Sequence, residues 1–191
     1  MHIRLFDGKF REHLLPFVYL RPVADLFMGA LTFRDRWKHL LTDSVSVETV
    51  DSLQESKESI PDRCVLASLL PTKSFVKSVQ ALAPNQKLVC DDLVLAYHGK
   101  LPSNDPALAS YQSISIDQSA FTHIKHSWDI FLCNAYALAH DIPLLSKDRI
   151  SSAISDTNLA IADGSIFIGS QVNMEGVTLN TTDGPIFIDE G

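Results

Sequence analysis

The stretch Ile3–Ala24 reads IRLFDGKFREHLLPFVYLRPVA, and its opening decides the fold. Ile3 to Phe6 is a short apolar run with strand character. Asp7-Gly8 ends it, because glycine accepts backbone angles that a side chain blocks. Basic residues follow at Lys9, Arg11 and Arg21. A strand that runs into a glycine turn with cations behind it is a common anion-binding device of α/β folds, since N–H groups and positive charge converge on a phosphate. The same residues also read as a plain first strand, a tight turn and solvated charges, because a lone glycine turn is a weak motif.

Outward from this stretch, apolar runs alternate with amphipathic helical patterns. Thr32 and Asp35 have capping-box spacing, and Phe33, Trp37, Leu40 and Leu41 then fall on one helical face. Val45 and Val47 alternate with serines as in a short strand, and Gln54 to Ser59 reads as an exposed turn or short helix. Cys64 to Leu70 is a continuous apolar run stopped by Pro71, the pattern of a strand buried on both faces in a parallel sheet. Thr72 to Leu82 reads as a helix with Phe75, Val76, Val79 and Leu82 inward and Thr72 or Ser74 as its cap. Lys87 to Tyr97 gives two strand signals around Asp91-Asp92. That pair either turns a hairpin or offers two hard oxygen ligands to magnesium. A weak strand follows around Ile114 and Ile116. A helix is predicted from Ser127 through His140, with Ser127 as cap and Asp129 near the positive end of its dipole. His123 and His126, three apart, are placed on one helical face but lack a third metal ligand. Leu144 to Thr157 reads as a polar linker. Together these elements predict a three-layer, Rossmann-like α/β domain over 1–152 with a mainly parallel sheet.

The composition shifts after the linker. Gly164-Ser165-Ile166-Phe167-Ile168-Gly169 recurs 20 residues later as Gly184-Pro185-Ile186-Phe187-Ile188-Asp189. Within it, Ala162-Asp163-Gly164, Ile168-Gly169-Ser170 and Met174-Glu175-Gly176 keep a six-residue rhythm. Residues 153–191 are therefore read as the first coil of a solenoid, with a β-hairpin closing the first domain as the alternative. A solenoid repeat cannot bury its face alone, so the chain reads either as the front part of a longer protein or as one whose last strands pack on the first domain.

The chain has 191 residues, 46% of them hydrophobic and 20% charged, enough for a sizeable core. A net charge of −7 argues against a general nucleic-acid binder. Three widely spaced cysteines, Cys64, Cys90 and Cys133, in apolar settings read as thiols rather than as a disulfide or metal set. Arg4, Asp7 and Lys9 interrupt any signal-peptide run, and no segment approaches the ~18 apolar residues of a membrane helix. The cytoplasm is the expected compartment, without nucleic-acid or membrane partners.

Leu5-Phe6-Asp7-Gly8, then Arg11, then Arg21-Pro22, resembles the opening signature of sugar nucleotidyltransferases. In that family a first strand runs into a Leu-x-x-Gly-x-Gly-x-Arg loop around the nucleotide phosphates, and a Pro-Lys pair follows. With the hexapeptide rhythm added, the chain is similar to the two-domain group typified by the bifunctional N-acetylglucosamine-1-phosphate uridylyltransferase/acetyltransferase, in which a nucleotidyltransferase-like domain precedes a left-handed β-helix. The resemblance implies a nucleoside triphosphate and a sugar 1-phosphate as ligands. It implies Arg11 and Arg21 as catalytic cations, Asp7, Gly8 and Asp25 as substrate contacts, and Mg²⁺ if the domain is active. Asp91, Asp92 and Asp129 are the candidates for the metal carboxylate, with nothing in their spacing to choose among them. A β-helix in the full-length protein further implies a homotrimer and an acyltransferase-like partner domain.

This sequence also departs from the family pattern. The second loop glycine is missing and Phe10 stands where backbone approaches phosphate. Arg21-Pro22 reverses the order of the pair, and Arg does not replace Lys freely at a phosphate. Where active relatives end a strand in Gly-Asp, this chain has Ala67-Ser68. Two readings follow: nucleotidyl transfer, weak or lost, or a non-catalytic nucleotide-sugar-binding, regulatory or structural domain.

Overall fold

The computed structural model describes residues 1–41, 44–54 and 61–190. Glu55 to Ser59, part of the expected exposed turn, lies outside the described residues. The described chain forms two compact units, Met1–Asn134 and Ala135–Gly191. The boundary expected from composition, at 152, falls later in the chain.

The first unit is built on a six-stranded sheet in the order Ser44–Glu48, His2–Phe6, Arg63–Leu66, Leu93–His98, Gln86–Cys90, Gln112–Ser115. The first strand pairs in parallel with Ser44–Glu48 on one side and Arg63–Leu66 on the other. Leu93–His98 alone runs against the rest. The expected mixed α/β architecture with a mainly parallel sheet is therefore present. Ile3, Leu5, Cys64, Val65, Leu95 and Ala96 are fully buried, as expected of strands covered on both faces.

The two predicted helices form as Phe33–Leu41 and Lys73–Ala81. Thr32 Oγ1 accepts the Asp35 N–H at 3.0 Å and donates to the Asp35 carboxylate at 2.7 Å, satisfying one of the first-turn donors. Thr72 Oγ1 accepts from the Phe75 N–H at 3.2 Å. Trp37 and Phe75 meet edge to face, ring centroids 6.3 Å apart, and Phe75 in turn meets Phe121 at 5.6 Å. Burial of each such side chain stabilises the fold by about 1.5–3 kcal/mol. Asp91-Asp92 is the two-residue turn between paired Cys90 and Leu93, the hairpin alternative.

Several expectations require correction. The apolar run Cys64 to Leu70 is not one strand: it breaks at Ala67-Ser68. The Ala67 N–H still bonds Phe6 O at 2.8 Å, the Ser68 carbonyl accepts from Ile124, and Leu69–Pro71 then pairs antiparallel with Phe121–His123. Both halves are buried, so apolarity does not mark the corner. The helix expected from Ser127 to His140 is two, Ser127–Leu132 and Asn134–Ser146, separated at Cys133. Asn134 Oδ1 accepts the Gly29 N–H at 2.9 Å, a distant contact that local pattern does not reveal. The second helix takes up Leu144 to Ser146, so the linker begins later. Ser127 is the first helical residue, not the cap; His126 precedes it in extended conformation. His123 ends a strand, so the two histidines do not share a helical face.

In the second unit the repeat is realised as parallel pairing. Ile166, Phe167 and Ile168 lie opposite Ile186, Phe187 and Ile188, and Leu159–Ile161 pairs in parallel with Thr178–Asn180. A hairpin would pair antiparallel, so that alternative is overturned. The Phe167 and Phe187 rings stack at 4.9 Å, and the Arg149 guanidinium lies over Phe167 while bonding Asp189 at 2.6 Å. Gly164 is required by close approach: a Cβ there would come within 2.5 Å of Thr181 Cβ. Among the described residues no helix is long and apolar enough to cross a membrane.

Candidate functional site

The chain leaves the first strand, forms its neighbour Ser44–Glu48 on one side, and returns past it to form Arg63–Leu66 on the other. Such a reversal of direction opens a crevice beyond the carboxyl ends of the strands. A cavity of about 540 Å³ lies there. Phe6 to Lys9 and Arg11 form its floor, and Glu48, Thr49 and Val50 one wall. Leu66 together with Asp92, Leu93 and Val94 of the hairpin forms the other.

Asp7 organises the loop. It is 7% exposed. Its Oδ2 accepts from Arg11 Nη1 at 2.7 Å and from Thr49 Oγ1, and its Oδ1 accepts the Val23 N–H at 2.9 Å. Burial pushes its carboxyl above the ordinary range, while Thr49, the Val23 N–H and Arg11 pull it down. Arg11 also donates to the carbonyls of Val18 and Arg21. The guanidinium thus ties residues 7 to 21 into one loop. Gly8 adopts φ +68°, and a Cβ would collide with Leu66 Cδ1. Its glycine is demanded by the strand behind it as well as by the turn. Among the described residues no backbone acceptor takes the N–H groups of Gly8, Lys9 or Phe10.

A family model described as sugar nucleotidyl transferase matches residues 3–150. The chain belongs to the sugar nucleotidyl transferase family. Comparison with curated proteins gives no match. The cleft at the end of the first strand is where this nucleotidyl transferase-family domain concentrates its loop residues.

The expected site residues separate within this family fold. Asp7, Gly8 and Arg11 come together in the cleft with Asp92. Arg21 contributes its carbonyl to Arg11, while its own side chain is exposed and does not line the cleft. Asp25 is paired with Arg34, through Nε at 2.8 Å and Nη2 at 3.0 Å. Asp129 accepts the N–H groups of Lys125 and His126, both at 2.9 Å, as a helix-start acceptor. Asp91 has φ +51° in the hairpin turn and lines a second, smaller cavity instead. Among the described residues no group of three or more His, Cys, Asp and Glu is placed to hold a metal. Magnesium, however, is commonly held by one or two carboxylates together with substrate phosphates. Of the three metal candidates, Asp92 alone reaches the larger cleft.

Thr49 and Glu48 were not singled out from sequence. Glu48 Oε1 accepts from the Ser103 N–H and hydroxyl, and Arg4 is 3.5 Å from its Oε2. Only strand register, which sets Phe6 opposite Glu48, brings this pair to the loop. Cys64 is buried and its thiol pushed up to about 11 by burial, so it is an unreactive core residue. Cys90 and Cys133 are half-buried and free.

Proposed function

We propose that the larger cleft binds the phosphates of a nucleotide or nucleotide sugar, and that the domain is a sugar-1-phosphate nucleotidyltransferase relative whose turnover is slow or lost. The observation that carries this reading is the loop itself. Among the described residues the N–H groups of Gly8, Lys9 and Phe10 have no backbone acceptor, and they lie at a left-handed glycine turn that suits an anion, with the exposed Lys9 beside it. Asp92 would hold Mg²⁺ from the opposite wall. When bound, the ion would neutralise charge on the phosphates and align them. Lys9 would pair with phosphate oxygens, while the Asp7–Arg11 link keeps the loop in shape.

Two observations favour binding over rapid transfer. The Arg11 guanidinium is engaged with Asp7 and two carbonyls, which leaves it little capacity for phosphate. The strand that ends in an acid in active relatives meets the cleft here as Leu66. Loss of one preorganised electrostatic contact typically costs about 10²–10³ in rate. We read residues 153–191, on their parallel in-register pairing, as the start of a left-handed β-helix of the uridylyltransferase/acetyltransferase kind, trimeric in a longer protein. A cytoplasmic location accompanies this reading.

Calorimetry with UTP, dTTP and UDP-sugars, with and without Mg²⁺, tests the binding. Saturable binding that Lys9→Ala weakens and Asp92→Asn makes independent of Mg²⁺ is expected. Absence of binding by every phosphate ligand would refute it. Pyrophosphate release at ordinary enzymatic rates with a sugar 1-phosphate would refute the loss of turnover.

A further inference from the structure

We propose that the first unit pairs with a second copy of this chain, about a two-fold axis, through an apolar face built from residues 15–27 and 127–132. Two strips make the face, and both belong to the Met1–Asn134 unit. They are tied together at each end. At one end the His13 ring stacks on His126, centroids 5.3 Å apart, and His126 stacks in turn on Trp128 at 4.5 Å. At the other, the Gly29 N–H donates to Asn134 Oδ1 at 2.9 Å. Between these ties, the first strip exposes Phe17, Tyr19, Leu20 and Phe27, and the second exposes Phe131 and Leu132. All six are between 53% and 83% exposed.

The backbone beneath them is fixed. Leu14, Val18, Leu26 and Met28 are buried and anchor the first strip between its exposed residues. The Phe17 N–H bonds Leu14 O at 3.0 Å, and the Tyr19 N–H bonds Pro16 O at 3.1 Å. Arg11 holds the carbonyls of Val18 and Arg21. Phe27 lies in a two-stranded ladder opposite Thr32. A face held in this way loses little chain entropy when it docks.

Size and composition point to a copy of the same chain. Single exposed apolar residues need no partner, but a monomer rarely leaves open an apolar patch larger than about 300–600 Å². Six large side chains at these exposures present on the order of 900 Å², counting roughly 150–250 Å² for each whole aromatic. A standard interface buries about 800 Å² from each partner. The face therefore supplies one partner's half of such an interface by itself. Four aromatics and two leucines with no charge match the centre of a homodimer interface, where charged residues are depleted. Two-fold pairing sets this face against an equal one. The flanking sequence exposes both signs, Glu12 together with Arg21 and Lys125, so unlike charges are available to meet across the axis. A membrane surface favours cations, and the chain carries a net charge of −7. The inference rests on neither the phosphate cleft nor a β-helix.

The test is sedimentation equilibrium of the full chain over a concentration series, with amide exchange measured at low and high concentration. A monomer–dimer equilibrium with a Kd at or below about 10 µM is expected. Tyr19→Glu and Phe131→Asp, both at exposed positions that leave the core intact, should each weaken dimerisation at least about ten-fold. Amides of residues 17–20 and 131–132 should gain protection only at high concentration. A chain that stays monomeric well above that Kd overturns the proposal, as does a dimer retained by both folded variants. Protection of residues 131–132 at every concentration would show the face covered within one chain and overturn it too. So would a monomer that binds anionic vesicles through this face, or an oligomer that Phe187→Ala abolishes and Phe131→Asp keeps, which would lie in the second unit.

Discussion

Gly8 and His123 illustrate how single residues of this domain are constrained from opposite directions. Gly8 combines φ +68° with contact to Leu66, so an added methyl group meets both backbone strain and a packed side chain. Gly8→Ala should lower stability by about 2 kcal/mol in urea unfolding, and when Leu66 is also reduced to Ala the combined loss should be smaller than the sum of the two single losses. His123 responds to pH. Its folded-state value of about 4 lies below the ordinary 6.5, so its contribution is fully present above pH 6.5 and is lost as pH falls from there to about 4. The gap corresponds to about 3 kcal/mol. Stability curves of wild type and His123→Phe should therefore diverge from pH 6.5 downward, the variant losing less; parallel curves would show that the ring is not neutral and buried. The turn at Gly8 was legible because glycine after Asp at a strand end has few other uses. The demands of Leu66 and Thr49 were not, since both arrive by pairing of segments tens of residues away.

At the level of elements, the strands and helices whose apolar period is sustained were read correctly: Ile3 to Phe6, the Trp37 and Phe75 helices, and the hairpin around Asp91-Asp92. Failures cluster where one apolar run serves two partners. Cys64 to Leu70 splits between two sheets, and the helix expected from Ser127 to His140 splits at Cys133. Hydropathy reports that a residue is buried but not against what. The same ambiguity affects the candidate metal carboxylates, because an acid that ends a turn or begins a helix looks in sequence like a free ligand. Asp129 is such an acid, bonding the N–H groups of Lys125 and His126. Asp129→Ala should cost about 1 kcal/mol in thermal unfolding, the usual effect of removing a helix-start acceptor. It should leave Mg²⁺-dependent nucleotide affinity unchanged, whereas Asp92→Asn should do the reverse. A Mg²⁺ effect at Asp129 with no stability change would reassign the metal carboxylate.

For the molecule as a whole, the two units rest on different kinds of order. The first depends on long-range strand pairing and a continuous aromatic core, so its cooperativity is that of a packed domain. The second depends on near-neighbour register: each strand meets its copy 19 or 20 residues on. Pairing of this kind is stabilised chiefly by contacts between neighbouring strands. That distinction was legible because the Ile-Phe-Ile copies are nearly identical, and the two copies pair in parallel, residue for residue. The Phe167 and Phe187 rings stack across this pairing, with Arg149 over them. Phe187 is only half-buried, so Phe187→Ala should cost about 2 kcal/mol, less than in a full core. The loss should be local. Amide exchange should accelerate at Gly169 and Ile186, whose N–H groups bond Ile188 O and Ser165 O between the paired strands. Amides of the His2–Phe6 strand should keep their protection. If that strand loses protection equally, the chain unfolds as one cooperative body and near-neighbour register is not what holds the second unit.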